Sequence, residues 1–477
     1  MKVRVAQRKM FLAGKWVDRD QTITVTNPEN NEAIATVPAA TQEDMLDAIK
    51  SAQRGALISA KLPVYKRIEI IQRAATFIEE EREEFAVTIA LEGSKTIREA
   101  RKEVERCIQT LRISAEEARR LEGKTIPFDQ SSGNENRLGY YSLFPIGIIG
   151  AITPFNDPLN LVAHKIGPAI ASGNAIIVKP ATVTPLSALK LANVFSKAGL
   201  PNGILSVITG RGGEVGDTLV THPDVRMISF TGGLETGTEI AKKAGLKKLS
   251  MELGSNSPVI VLNDADLNQA VESTVSGAFW AAGQNCLGVQ RIYVERDIFK
   301  EFKTQFIKRT TLYQTGGKLM ESTDMGPLIN EREAIRVENL VNEAIKQGAI
   351  LECGGQREGA YYEPTVLTNV PADATIAKEE IFGPVVLLFE VKSLQDAIER
   401  SNDVNYGLQA GIFTNHLQSA FEAIQQLNVG GVMVNDSSDF RIDSMPFGGV
   451  KGSGLGREGV RHSIQEMTEP KVVCFNL

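Results

Sequence analysis

The sequence predicts an α/β protein organised around open, mostly parallel sheets, and three observations carry that expectation. Short apolar runs alternate with helical patterns: Ile146 to Thr153, a helix near Leu161 to Ala171, Ala175 to Val178, a helix from Pro185 to Ala198, Ile204 to Thr209, and Met227 to Phe230. Such alternation builds parallel strands joined by crossover helices. A second series follows Gly254, with a strand Ser257 to Leu262, a helix Leu267 to Ala282, a glycine turn at Gly354-Gly355, and strands Val385 to Glu390 and Gly431 to Asn435. Finally, 477 residues exceed what one hydrophobic core usually serves, so two or more domains are expected.

The flanking stretches read as follows. From Met10 to Val37 apolar and polar residues alternate around Gly14 and the turn cluster Asn27 to Asn31, which predicts short strands. Thr41 reads as an N-cap, with Glu43 and Asp44 in the first turn of a helix. From Val64 to Leu121 the pattern is helical and rich in charge, the charge runs marking solvated faces. The polar stretch Asp129 to Asn136 precedes the alternating run Arg137 to Phe144, which predicts strands around a loop, and Lys471 to Phe475 reads as one more strand.

Composition narrows the function. The hydrophobic fraction of 42% and charged fraction of 23% are those of an ordinary soluble globular protein. Net charge is −6 with no basic block, so neither nucleic acid nor an anionic membrane is expected as a partner. The four cysteines, Cys107, Cys286, Cys353 and Cys474, lack the paired spacing of metal sites or disulfide frameworks. No metal is expected, and a reducing, cytoplasmic setting fits best. The basic N-terminal stretch lacks the apolar run of a signal peptide, and no segment offers the ~20 apolar residues of a membrane span.

Two short runs carry the chemistry. Gly283-Gln284-Asn285-Cys286-Leu287-Gly288 flanks a cysteine with small and polar residues, a setting that exposes sulfur to a ligand. A free cysteine is commonly just a small buried hydrophobe, and reactivity needs an activating environment as well. Met251-Glu252-Leu253-Gly254 supplies one, placing a carboxylate between apolar side chains where desolvation lifts it toward general-base range.

With these runs stand Pro154-Phe155-Asn156, Val178-Lys179-Pro180, Phe230-Thr231-Gly232-Gly233, Glu380-Ile381-Phe382-Gly383-Pro384 and Pro446-Phe447-Gly448-Gly449. In this order, and over nearly the whole length, the chain resembles the NAD(P)-dependent aldehyde dehydrogenases, most closely the lactaldehyde dehydrogenase type. The resemblance implies a Rossmann-type cofactor domain over 1–121 and 141–252 and an α/β catalytic domain over 253–458. It also implies a small β oligomerisation hairpin, over 122–140 with 459–477, and hence a homodimer or homotetramer. Cys286 would attack the aldehyde, Asn156 and the Cys286 N–H would hold the oxyanion, and Glu252 would activate the water that hydrolyses the thioester. Lys165 would manage protons, or else be an ordinary solvated lysine.

The usual Gly-x-Gly-x-x-Gly fingerprint of dinucleotide binding is missing. In its place are two glycine turns, Arg211-Gly212-Gly213 and Phe230-Thr231-Gly232-Gly233, whose amides could approach a pyrophosphate. By resemblance Lys179 faces the adenosine ribose, and Glu380 and Phe382 the nicotinamide end. Where NAD-preferring relatives often carry a glutamate, this chain has Thr182. A missing carboxylate removes repulsion toward the 2′-phosphate, so NAD or NADP is expected.

At positions where relatives acting on apolar aldehydes line the tunnel with apolar side chains, this chain has Asp157, Asn160, His164 and Arg441, with Phe447 beside them. A polar tunnel implies a small polar substrate such as lactaldehyde. Arg441 leaves room for an anionic tail: succinate semialdehyde, glyceraldehyde 3-phosphate, or a phosphonated or sulfonated aldehyde. It could instead pair with Asp439 or Asp443, and His164 could be a satisfied structural histidine. A binding or structural protein would follow from loss of Cys286, Glu252 or Asn156, and all three are present.

Overall fold

The computed structural model describes residues 6–477, so the first residues of the basic N-terminal stretch lie outside it. Strands Lys248–Glu252, Val225–Thr231, Ile148–Ile152, Ala175–Lys179 and Leu205–Val207 pair in that order, all parallel. Antiparallel strands close both ends of this sheet: Gly454–Leu455 beside Lys248–Glu252, and Met10–Leu12 with Lys15–Val17 beyond Leu205–Val207. The strands are apolar almost throughout because both faces are covered. Ile149, Ile176 and Val178 point into a core built with Ile71, Phe85, Leu111 and Ile166, while Ile148, Ile177 and Ile228 point the other way, onto Met45, Ala48 and Leu219.

The second sheet runs Ile350–Cys353, Thr365–Thr368, Val385–Val391, Val289–Glu295, Ser257–Val261, Gln409–Phe413, Gly431–Val434, parallel apart from its first strand. The parallel-sheet expectation from alternating strands and helices therefore holds for both halves. A third sheet is small and stands apart. Thr468–Asn476 pairs antiparallel with Arg137–Pro145 along its whole length, and Lys124–Ile126 lies on the other side.

Several boundaries differ from the sequence reading. The long charged helical stretch is three helices, Val64–Glu80, Arg82–Glu92 and Ile97–Glu117, broken at Glu81 and again at Gly93 to Thr96. Thr41 does cap Gln42–Lys61, with Asp44 returning the bond to form a capping box. The strand Arg137–Pro145 runs across residue 140, so the hairpin extends beyond the 122–140 interval. The helix Val460–Glu466 buries Val460, Ile464 and nearby Met467 in the core of the first sheet, so within 459–477 only Thr468–Asn476 belongs to the small sheet. Likewise Gly454–Leu455, inside 253–458, completes the first sheet instead of the second. No helix among the described residues is long and apolar enough to cross a membrane.

Candidate active site

The helix Leu267–Phe279 stops three residues short of the expected Ala282. Ala281 (φ 51°), Ala282 (φ 55°) and Gly283 (φ 69°) all turn left-handed and redirect the chain toward Cys286. Glycine is required at 283, since a Cβ there would lie 2.1 Å from the Gly383 carbonyl oxygen. Cys286 is half-buried against Leu287, Leu408, Met445 and Phe447. Burial pushes its thiol up to about 12; the carboxylates of Glu380, Glu252 and Glu458 push the same way, against Arg441. Such a thiol yields its proton only to a nearby base or beside added positive charge. The Cys286 N–H and the half-exposed Asn156 amide make no hydrogen bond among the described residues, which leaves both free to meet an oxyanion.

Glu252 ends its strand at the carboxyl edge of the first sheet, where open α/β sheets bind ligands. Both its carboxylate oxygens are buried without a hydrogen-bond partner. Burial raises its pKa well above the usual range, as does Glu458, while Lys165, Arg441 and Arg457 oppose the rise. This is the setting of a general base. Gly448 makes room for it: a Cβ at 448 would stand 3.0 Å from Glu252 Oε1.

Lys165 is fully buried and ion-paired to Glu458 Oε1, which excludes the solvated-lysine reading. Burial alone would raise Glu458, but the Lys165 charge overrules it and holds this carboxyl below its ordinary value. Phe447 and Glu458 exchange two backbone hydrogen bonds, Phe447 N–H to Glu458 O at 3.0 Å and the reverse at 2.6 Å. That bridge sets Glu458 beside the Cys286 cluster. The sequence reading missed Glu458, although Gly454, Gly456 and Gly459 around it repeat the glycine-adjacent setting of Glu252.

Arg441 pairs with neither of the aspartates proposed from sequence. Its guanidinium stacks on Phe447, 3.7 Å from the ring centroid, with Nη2 3.6 Å from Glu458 Oε2. That is an ion pair, too long for a hydrogen bond. Arg441 Nε and Nη2 remain without a hydrogen-bond partner on a side chain only 6% exposed. Asp439 instead accepts from the Ser437 hydroxyl. Asp443 accepts from Arg106 Nη2 at 2.8 Å, lies 2.8 Å from His164 Nε2, and receives Asn160 Nδ2 at 3.4 Å.

The other residues read as tunnel-lining therefore face protein groups. Asn160 and His164 are fully buried around Asp443, and Asp157 pairs with Lys95 and Arg106. Glu103, also missed, accepts the N–H groups of Leu159 at 2.8 Å and Asn160 at 3.0 Å, supplying the cap that Leu159 cannot. Burial lowers the His164 pKa, keeping the ring neutral, and Nδ1 is left without a partner.

The remaining residues line the edge of the first sheet. Lys179 is buried with only the Pro180 carbonyl to donate to, at 2.8 Å, and burial lowers it to about 8. Thr182 Oγ1 donates to Gly210 O at 3.1 Å, while Arg211 and Gly212 are exposed. The strand ending in Phe230 and Thr231 passes through Gly232 and Gly233 into the helix Leu234–Ala244, as expected. Thr231 Oγ1 is buried and unpartnered, and a Cβ at Gly212, Gly213 or Gly233 would meet no atom within 4 Å. Opposite, Glu380 Oε1 accepts the Ser255 N–H at 2.8 Å beside Gly254, and burial raises this carboxyl to about 7. Phe382 (φ 47°) meets Phe155 edge-on, centroids 5.7 Å apart. Open space at a helix N-terminus, an amine short of acceptors and an orphaned hydroxyl fit a dinucleotide.

Fold and cleft together define an NAD(P)-dependent oxidoreductase. The chain belongs to the aldehyde dehydrogenase family, whose sequence model matches residues 16–473. It is 50% identical to aspartate-semialdehyde dehydrogenase 1 of Pseudomonas canavaninivorans, covering 95% of this chain and 97% of that one. It is 45% identical to the 3-sulfolactaldehyde dehydrogenase of Priestia megaterium, covering 99% of each. Among solved structures, aldehyde dehydrogenase 21 of Physcomitrella patens, in complex with the product succinate, superposes with a TM-score of 0.97 at 40% identity, covering 99% of each chain. A glyceraldehyde-3-phosphate dehydrogenase of Methanocaldococcus jannaschii holds NADP (TM-score 0.93, 41% identity, 97% of this chain and 100% of that one). A Bacillus cereus aldehyde dehydrogenase holds NAD+ (0.95, 35%, 99% and 97%).

Proposed function

We propose that this enzyme oxidises a short aldehyde with a negatively charged tail to its carboxylic acid, through a cysteine thioester. The observation that carries the charged tail is Arg441: a buried guanidinium stacked on Phe447 of the Cys286 cluster, with two nitrogens that make no hydrogen bond. A desolvated guanidinium without full partners is costly, and a carboxylate, sulfonate or phosphate fits its fork. The relatives' names support the same reading, since aspartate semialdehyde, 3-sulfolactaldehyde and succinate all carry such a group. A second reading, a neutral α-hydroxyaldehyde such as lactaldehyde, is favoured by Glu458, which already balances part of the Arg441 charge.

With added positive charge beside it, Cys286 loses its proton to water, and the thiolate bonds to the aldehyde carbon to give a thiohemiacetal oxyanion held by Asn156 and the Cys286 N–H. NAD or NADP, when bound, supplies the hydride acceptor. Lys179, Thr231 and the glycine turns would hold its adenosine and phosphate parts, and Glu380 its nicotinamide ribose. Loss of hydride leaves a thioester on Cys286. Glu252 then takes a proton from water, the hydroxide adds to the thioester carbon, and the Cys286 thiolate leaves as the acid forms. Lys165 and Glu458, next to Glu252, would carry protons onward.

The small sheet exposes Leu138, Tyr140, Phe144, Val472 and Phe475, which supports self-association as a homodimer or homotetramer. Four free cysteines support a reducing, cytoplasmic location. The test is Cys286→Ser: oxidation should vanish while cofactor binding stays, because a hydroxyl is a far weaker nucleophile at neutral pH. Near-normal turnover in that variant would overturn the assignment.

A further inference from the structure

The turn that carries the chain toward Cys286 is gripped from a distant helix. Ala281 and Ala282 stand left-handed in succession, at φ/ψ of 51°/38° and 55°/39°. Alanine pays roughly 1–2 kcal/mol for each such residue, and the conformation lasts only where neighbours over-determine it. The Ala281 carbonyl accepts from Gln284 N–H at 3.1 Å and Gln284 Nε2 at 3.0 Å. Its N–H donates to Glu99 Oε1 at 2.8 Å.

Glu99 sits in the first turn of the helix Ile97–Glu117. Its second oxygen accepts the Thr96 N–H at 2.8 Å and the Thr96 hydroxyl at 3.0 Å, and Thr96 in turn caps Glu99 N–H. That is a capping box, which uses one carboxylate oxygen and commonly leaves the other to water. Here the residue is 4% exposed, and the other oxygen meets the strained turn. That contact is a buried charge-assisted bond from another helix to the first left-handed residue of the turn.

We infer that Glu99 is a positioning residue, whose carboxylate locks the left-handed turn at Ala281–Ala282 and so fixes where Cys286 presents its thiol. This rests on the reading of Cys286 as nucleophile. Without the Glu99 bond the two alanines relax toward ordinary backbone, and only a fraction of molecules keeps the sulfur in place. That fraction scales turnover and thiol reactivity together and leaves cofactor affinity alone.

The experiment compares Glu99→Gln, Ala281→Gly, the double variant and Thr96→Ala. It reads kcat, cofactor KM, and the rate of Cys286 alkylation by iodoacetamide, located by peptide mass. An amide cannot accept from both Thr96 and Ala281, so Glu99→Gln should slow turnover and alkylation alike by about tenfold, the equivalent of one charge-assisted bond, at unchanged cofactor KM. Glycine takes positive φ without penalty, so adding Ala281→Gly should bring both rates to within about threefold of Ala281→Gly alone. Thr96→Ala, which loosens the cap and spares the Ala281 bond, should lower Tm and leave alkylation unchanged. Wild-type alkylation in Glu99→Gln, or a loss that glycine does not relieve, overturns the inference. If alkylated wild-type enzyme still turns over, the nucleophile assignment fails instead, and Glu99 is judged on the alkylation rates alone.

Discussion

Arg441 lies flat over Phe447, guanidinium carbon 3.7 Å from the ring centroid, and Phe447 is itself clamped to Glu458 by two backbone hydrogen bonds. The stack holds the cation in place while leaving Nε and Nη2 without a hydrogen-bond partner. Substrate charge should therefore be felt through this one side chain. Arg441→Leu should cost about 2–5 kcal/mol in kcat/KM for succinate semialdehyde or a sulfonated aldehyde, the scale of a broken buried charge pair, and little for lactaldehyde. Equal losses on charged and neutral aldehydes would favour the neutral reading.

Glu252 is the one carboxylate of the cleft with both oxygens unpartnered. Glu252→Gln should still allow acylation of Cys286 but slow hydrolysis, so that intact-mass spectra show an acyl adduct building up. A slowed enzyme that never shows the adduct places Glu252 in an earlier step.

The pH dependence follows in sign. Burial and Glu458 hold Glu252 protonated to higher pH than an ordinary carboxyl, and only the ionised form can take a proton from water. Acid release should rise with pH, and the rise should lie above the ordinary carboxylate range, in single-turnover assays. In Glu252→Gln the rise should disappear.

Thr182 donates to the Gly210 carbonyl beside the glycine turn and brings no charge. Both cofactors should support turnover. Thr182→Glu should raise KM for NADP far more than for NAD, by repulsion of the 2′-phosphate. Parallel changes for the two would remove Thr182 from that end of the cofactor.

Asp443 anchors the loop of Arg441 through His164 and Arg106. Burial alone would raise its carboxyl, but these two partners hold it well below the usual range. Its contribution to stability is thus present above the ordinary carboxylate range and is lost as pH falls through the lowered value. Asp443→Asn should cost about 3–5 kcal/mol of unfolding free energy near neutral pH, and less in acid. Urea titrations at two pH values measure this. An unchanged midpoint at neutral pH would mean the cluster contributes nothing net.

What the sequence made legible was periodic or local. The alternating strands and helices forecast both parallel sheets, and the Thr41 cap appeared as read. The Cys286 and Glu252 runs were found because their glycine and apolar neighbours are adjacent in the chain. What stayed hidden depended on partners far away in sequence. Asp157, Asn160 and His164 read as tunnel lining because nothing local shows that Lys95, Arg106, Thr110 and Asp443 engage them. The left-handed pair Ala281–Ala282 carries no glycine signal, since its conformation is imposed by tertiary contacts.

The strand Gly454–Leu455 and the helix Val460–Glu466 complete a sheet whose other strands are all made before residue 253. During synthesis the edge of Lys248–Glu252 and the apolar seat of Val460, Ile464 and Met467 therefore stay uncovered while the whole second sheet is still emerging. The nascent first half is an open-edged intermediate, the kind of surface that chaperones recognise and that aggregates when translation stalls. The two halves of this enzyme cannot mature one after the other on the ribosome; the first is finished last.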